Sequence, residues 1–202
     1  MKRIIVYIDG FNLYFGITNK GWNYLKWLDV HKLAINLLKS DQKLIEVKYF
    51  TSRVRNDPEK EKRQNTYIEA LETTGIKIFY GHYQDNTIEC RNCGSFWPSP
   101  NEKMTDVNIA TNILIDAHTN KFDVALLISG DSDLVPPIRA IHKHFKEKRV
   151  IVAFPPKRHN LSVAKVSKGS FIIGRKKLKD SQLPEKIIKK DGYVLIKPKE
   201  WK

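Results

Sequence analysis

Residues 3–8 (RIIVYI) are continuously apolar and rich in β-branched side chains, the pattern of a strand buried on both faces. Similar runs return at 44–51 (LIEVKYFT), 76–80 (IKIFY), 122–129 (FDVALLIS) and 149–154 (RVIVAF). Between them the apolar positions take a helical spacing. A helix is predicted from Asp29, a good N-cap, to near Ser40, turning Leu33, Leu37 and Leu38 inward. Asp57-Pro58-Glu59 starts another with proline at its first position, and Gly75 stands where a C-cap is wanted. Thr105 caps the next, in which Ile109, Ile113 and Ala117 share a face. A further helix follows from Ser132, with Pro136 and Pro137 tolerable only in its first turns, and 161–167 suits a short one. Strand and helix thus alternate five times. This predicts an α/β fold, with a mainly parallel central sheet of about five strands and helices on both faces. The short apolar runs 171–173 and 193–196 could add edge strands, whereas 84–101 (QDNTIECRNCGSFWPSPN) reads as a turn-rich excursion.

Composition narrows the class. Hydrophobic residues make up 41% of 202, enough for one domain with a substantial core and against a disordered or fibrous chain. The net charge of +14 favours a polyanionic partner, nucleic acid first, although a basic surface without that role has the same signature. Residues 157–202 hold 14 Lys or Arg against 4 Asp or Glu, so most of the excess sits there, in attached structure with a basic face. No apolar run is long enough to span a membrane, the start does not read as a signal peptide, and two cysteines are too few for a disulfide scaffold. A cytoplasmic protein is expected.

Ligands of open parallel sheets gather at the C-terminal ends of the strands. Those ends carry Asp9 after the first strand and Asp131 with Asp133 after the fourth, while Asp106 opens the helix between. Carboxylates brought together repel and call for a cation, and an all-oxygen set selects Mg²⁺ or Mn²⁺ over zinc. Each acid also has an ordinary explanation. Asp9-Gly10 suits a turn, Asp106 a helix dipole, and Asp131 and Asp133 caps of the following helix. Their coincidence at the strand and helix ends favours a metal site.

Residues 7–13 (YIDGFNL), 102–110 (EKMTDVNIA) and 127–134 (LISGDSDL) resemble the three signature segments of the NYN domain family, PIN-like ribonuclease domains. The resemblance, to a bacterial member, spans about residues 1–175 and leaves 176–202 as a basic C-terminal extension. It implies a Rossmann-like three-layer sandwich and a Mg²⁺- or Mn²⁺-dependent endoribonuclease leaving 5′-phosphate and 3′-hydroxyl ends. By that resemblance Asp9, Asp106 and Asp131 would be the metal ligands, and Asn12 would orient Asp9 or bind substrate. Asp133 would act through a water on the metal or from behind the ligands, and Ser129 and Gly130 would keep the rim small. Many relatives carry an acid where this chain has Asn112, about 120° around the helix from Asp106. Its neutrality would weaken a second metal site. RNA affinity is expected mainly from the basic C-terminal third, including Lys157, Arg158, Arg175, Lys176 and Lys177. His159 reads as a phosphate contact or a plain loop residue.

Other classes fit less well. A dehydrogenase wants G-x-G-x-x-G after the first strand, which Asp9-Gly10-Phe11-Asn12 lacks, and no Walker lysine motif occurs. A phosphatase with an aspartyl nucleophile would need a second Asp where Phe11 stands. The alternative that remains is a non-catalytic, regulatory NYN-type module that holds RNA or a protein partner without cutting. Cys90-Arg91-Asn92-Cys93-Gly94 is half a zinc knuckle. A structural zinc needs four ligands, so His82 or a second Cys pair from a homodimer partner would have to complete it. Two reduced thiols in an ordinary loop is the other reading.

Overall fold

The structure, a computed structural model, describes residues 1–55, 57–89 and 93–201. Strand β1 (Lys2–Asp9) leads directly into helix α1 (Gly10–Asn19), and α2 (Val30–Leu37), β2 (Gln42–Thr51), α3 (Pro58–Glu72) and β3 (Lys77–Tyr80) follow. After an inserted hairpin, β4 (His82–Glu89) and β5 (Phe96–Lys103), the alternation resumes with α4 (Thr105–His118), β6 (Val124–Ile128), α5 (Val135–His144) and β7 (Arg149–Phe154). The chain continues through α6 (Leu161–Val166), β8 (Ser170–Ile172), α7 (Arg175–Lys179), β9 (Lys186–Ile188) and β10 (Val194–Ile196).

The central sheet has six strands in the order β3-β2-β1-β6-β7-β8, and every neighbouring pair is parallel. The sixth is the edge strand that residues 171–173 suggested. Alternation along β1 explains its unbroken apolar run. Ile4, Val6 and Ile8 enter one core with residues of α1 and α2, while Ile5 and Tyr7 enter another with residues of α4 and α5. The sheet is therefore covered on both faces, the three-layer arrangement expected.

Several local expectations need correction. The apolar spacing predicts no helix before Asp29, yet α1 begins at Gly10. Asp9 caps it, and its start packs so closely on β2 that a Cβ at Gly10 would lie 2.6 Å from the Tyr49 ring and 2.8 Å from the Phe50 carbonyl oxygen. Asp9-Gly10 is thus a helix start and not an ordinary turn, and tertiary packing, not helix propensity, selects glycine there. The excursion is an antiparallel hairpin, with His82 opposite Lys103 and Glu89 opposite Phe96. Pro98 and Pro100 are compatible with a strand because they lie two residues apart, so both missing N–H groups fall on one side of it. Thr105 is the first helical residue of α4 and not its cap, a role taken by Met104 in a left-handed conformation at φ 79°. Residues 194–196 pair with β9 in a separate hairpin rather than at an edge of the sheet.

The C-terminal segment is built into the first core. Leu178, Leu183, Leu195 and Trp201 are buried there, and the Trp201 ring stands edge-on to Tyr67 at 5.6 Å. The Trp27 indole N–H donates to the Pro184 carbonyl at 2.7 Å. Among the described residues no helix is long and apolar enough to cross a membrane.

Candidate functional site

The order of strands reverses direction between β1 and β6, and in such sheets the crevice outside that point is the usual ligand site. Asp9 ends β1, and Ser129, Gly130 and Asp131 follow β6 across the crevice. The Asn12 backbone N–H donates to Asp9 Oδ1 at 2.9 Å, and the Ser129 hydroxyl donates to Asp9 Oδ2 at 2.9 Å. The same Ser129 Oγ accepts from the Asp131 N–H at 3.1 Å, so one hydroxyl ties the two acids together. Asn12 Oδ1 accepts from the Gly130 N–H at 3.0 Å and locks α1 to the loop after β6. Asn12 therefore fixes Asp9 through its backbone, while its side chain holds the opposite rim.

Asp9, Asp106 and Asp131 line one cavity of about 230 Å³, together with Asn12, Phe11 and Arg158. Asp9 is 5% exposed. Asp106 arrives on the first turn of α4. Asp131 caps the short 3₁₀ turn Ser132–Leu134, its Oδ1 accepting from the Asp133 N–H at 2.9 Å. Asp133 is exposed and is not among the residues lining the cavity. Asn112 lies apart from it, in a buried network. Its Oδ1 accepts from Lys48 Nζ at 3.1 Å, and that ammonium also pairs with Asp116 at 2.5 Å. Burial opposes the Asp116 charge, but hydrogen bonds from Lys48, Tyr7 and Lys121 outweigh it and hold this carboxyl below its ordinary range.

Arg158 brings a cation to the acids. Its guanidinium lies over the Phe15 ring at 5.9 Å, and its Nε is buried with no hydrogen-bond partner among the described residues. The turn carrying it is held by tight backbone packing. A Cβ on Gly130 would lie 1.8 Å from the Arg158 carbonyl oxygen, so the close approach of the two loops requires glycine there. The other expected RNA contacts separate. Lys157 lines a neighbouring cavity. Arg175 donates to the Tyr24 hydroxyl at 2.7 Å and lies over the Trp22 ring at 5.9 Å. Lys176 pairs with Asp180 at 2.5 Å, and Lys177 donates to the Asn36 carbonyl on α2. His159 packs edge-on against Phe154 at 4.7 Å. In sequence Arg158 belongs with the basic tail and Phe15 has no visible role, because only the fold brings the loop after β7 and helix α1 together at the acids.

Among the described residues no three His, Cys, Asp or Glu side chains converge into a metal-holding group. The acids surround the cavity instead of closing a cage. An all-oxygen set of this kind fits Mg²⁺ or Mn²⁺ better than zinc, since Mg²⁺ keeps several waters and takes one or two carboxylates directly. Cys93 is exposed, with its thiol 3.3 Å from the Ser95 hydroxyl. Cys90 lies outside the described residues, and with it the candidate zinc pair.

The model of the NYN domain matches residues 3–173. Among curated proteins, the chain is similar to 6-hydroxy-3-succinoylpyridine 3-monooxygenase HspA of Pseudomonas putida, at 27% identity over 197 residues. The match covers 79% of this chain and 62% of that protein, so the chain spans under two thirds of its relative's length. Among solved structures it is similar to a protein of unknown function from Vibrio parahaemolyticus, with a TM-score of 0.60 and 18% identity over 90% of this chain and 96% of that one. That likeness is one of fold.

Proposed function

Because this chain belongs to the NYN domain family, a family of PIN-like nucleases, we propose that it is a Mg²⁺- or Mn²⁺-dependent endoribonuclease. The observation that carries this reading is the cavity at the switch point of the sheet, where Asp9, Asp106 and Asp131 meet Arg158. A surface made only to bind RNA gains nothing from three carboxylates that repel phosphate.

The residues divide the work. Asp9, its carboxylate held by Asn12 and Ser129, and Asp131, its backbone held by Ser129 and its carboxylate by the Asp133 N–H, are positioned before substrate arrives. With Asp106 they would hold the ion, one or two of them directly and the rest through the waters of its shell. The ion, when bound, supplies positive charge at the phosphate and lowers the pKa of attacking water. Arg158 offers a planar donor to a phosphate oxygen, which suits its guanidinium better than a point charge would. Water attacks phosphorus in line and the P–O3′ bond breaks, leaving a 5′-phosphate and a 3′-hydroxyl. The oxygen chemistry in the name of the Pseudomonas relative would need an electron carrier, and the β1–α1 turn lacks the glycine spacing of a dinucleotide site.

Asp131→Asn tests the reading. Asn caps as well as Asp, so the turn at Ser132–Leu134 and the fold should survive. Cleavage of labelled single-stranded RNA in Mn²⁺ should fall roughly a hundredfold or more, the scale of losing one positioned electrostatic group. RNA binding should persist or strengthen. Cleavage at the parental rate would remove the proposed site, and a parental chain that binds RNA without cutting it in Mn²⁺ or Mg²⁺ would favour the binding module.

A further inference from the structure

The turn after β7 separates two cavities. Arg158 lines the acidic one, and its neighbours Pro156, Lys157 and His159 line a second, of about 460 Å³. Lys157 adopts φ +59°, a left-handed conformation uncommon for lysine, and the chain reverses so that neighbouring residues serve different cavities. Trp22, Pro156, Ile172 and Ile173 give the second cavity apolar walls, Lys20 and Lys157 are its cations, and no acid lines it. Ile172 is 57% exposed, and Trp22 is held by the stacked Arg175, itself bonded to Tyr24. The volume falls in the range of small-ligand clefts, roughly 300–1,000 Å³.

We propose that this second cavity receives one unpaired base of the strand whose phosphate lies in the acidic pocket, with Lys157 and Arg158 gripping the backbone on either side of the turn. The placing of that phosphate rests on the nuclease reading; the base site itself does not. A base brings flat apolar faces to Ile172 and the Trp22 wall, where Lys20 lies over the indole at 5.6 Å, and a phosphate on each side for Lys157 and Arg158. A paired base cannot enter, because its faces are stacked on its neighbours in the duplex and its partner holds it there, so the site selects single strands, loops or bulges. Stacking tolerates any base, since each has a π-face. An apolar peptide side chain would fit the walls but leave Lys157 unused.

The test is a binding measurement with the full chain in EDTA, using a short labelled RNA shown intact on a gel. Each nucleotide in turn is replaced by an abasic one. One position, or two adjacent ones, should weaken binding roughly tenfold, the scale of one lost stacking contact. Ile172→Glu, which places a negative charge at an exposed position, should weaken the intact RNA and flatten that profile. Lys157→Asn, which accepts the left-handed conformation, provides a second variant should the first fold poorly. A profile with no sensitive position, or one unchanged in the folded variants, overturns the proposal. Failure of the nuclease reading would show separately, as undiminished cleavage by Asp131→Asn.

Discussion

Ser129 shows how much one hydroxyl can organise. It donates to Asp9 and accepts from the backbone of Asp131, so two acids 122 positions apart share one fixed atom. The spacing Ser129-Gly130-Asp131 marks the segment, but that its hydroxyl faces Asp9 depends on β1 and β6 being neighbours. Gly130 makes the same point sterically. Its missing side chain leaves room for the Arg158 carbonyl, so Gly130→Ala must push the turn at 155–158 away from the crevice. We expect a loss of about 1–3 kcal/mol in stability, typical of overpacking, and a fall in RNA cleavage as Arg158 moves. Denaturant melts and cleavage rates measured on one preparation check this, and an alanine variant with parental values would show that the turn does not need the close approach. Asn112 was legible only as a departure from the family pattern; its bond to Lys48 follows from the register of α4 against β2.

Elements were legible in proportion to how far their own patterns decided them. The strand at 149–154 appears at its expected ends, and the helices capped by Asp29 and Asp57 begin where those caps predict. Helix α1 is not legible in the sequence because aromatic residues and two glycines blur its periodicity; a Cβ at Gly16 would lie 2.7 Å from the Pro155 Cβ. Helix α5 carries a testable tie. The His142 ring accepts from the Val150 N–H at 3.1 Å through Nε2, so Nδ1 carries the proton that it donates to the Val166 carbonyl at 3.0 Å. Burial, helped by nearby Lys168 and opposed by the Val166 bond, holds this imidazole below its ordinary value of 6.5. The unfolded chain therefore takes up a proton that the fold resists. The contribution is present above about pH 6.5 and is lost as pH falls toward the lower folded value. Thermal melts between pH 7.5 and 5.5 should show a steeper decline for the parent than for His142→Gln; equal slopes would count against the tie.

At the scale of the molecule, the family match ends at residue 173 while the core does not. Trp201, 5% exposed, packs near Trp27, Tyr67 and Tyr14, and Leu178, Leu183 and Leu195 join the same core. A chain cut after residue 173 should fail to melt cooperatively, and Trp201→Ala alone should cost about 3–5 kcal/mol. Cooperative unfolding of the shortened chain near the parental midpoint would show that the segment is a dispensable cover. The basic excess of 157–202 is thus carried by structure that is apolar inside, with Lys176, Lys177 and Lys189 held by partners on its surface.

By itself, the amino-acid sequence determined the alternation of strands and helices, the double burial of the central strands and the acids at their ends. These follow from side-chain period and local capping, which need no knowledge of distant neighbours. Tertiary structure alone decided which residues meet. The order β3-β2-β1-β6-β7-β8 puts Asp9 beside Ser129, and the loop after β7 delivers Arg158 to the acids and Lys157 to the adjoining cavity. A basic residue reads the same in sequence whether it faces phosphate, like the role proposed for Arg158, or clamps a carbonyl, like Lys177. The difference lies in long-range packing, which no local pattern encodes.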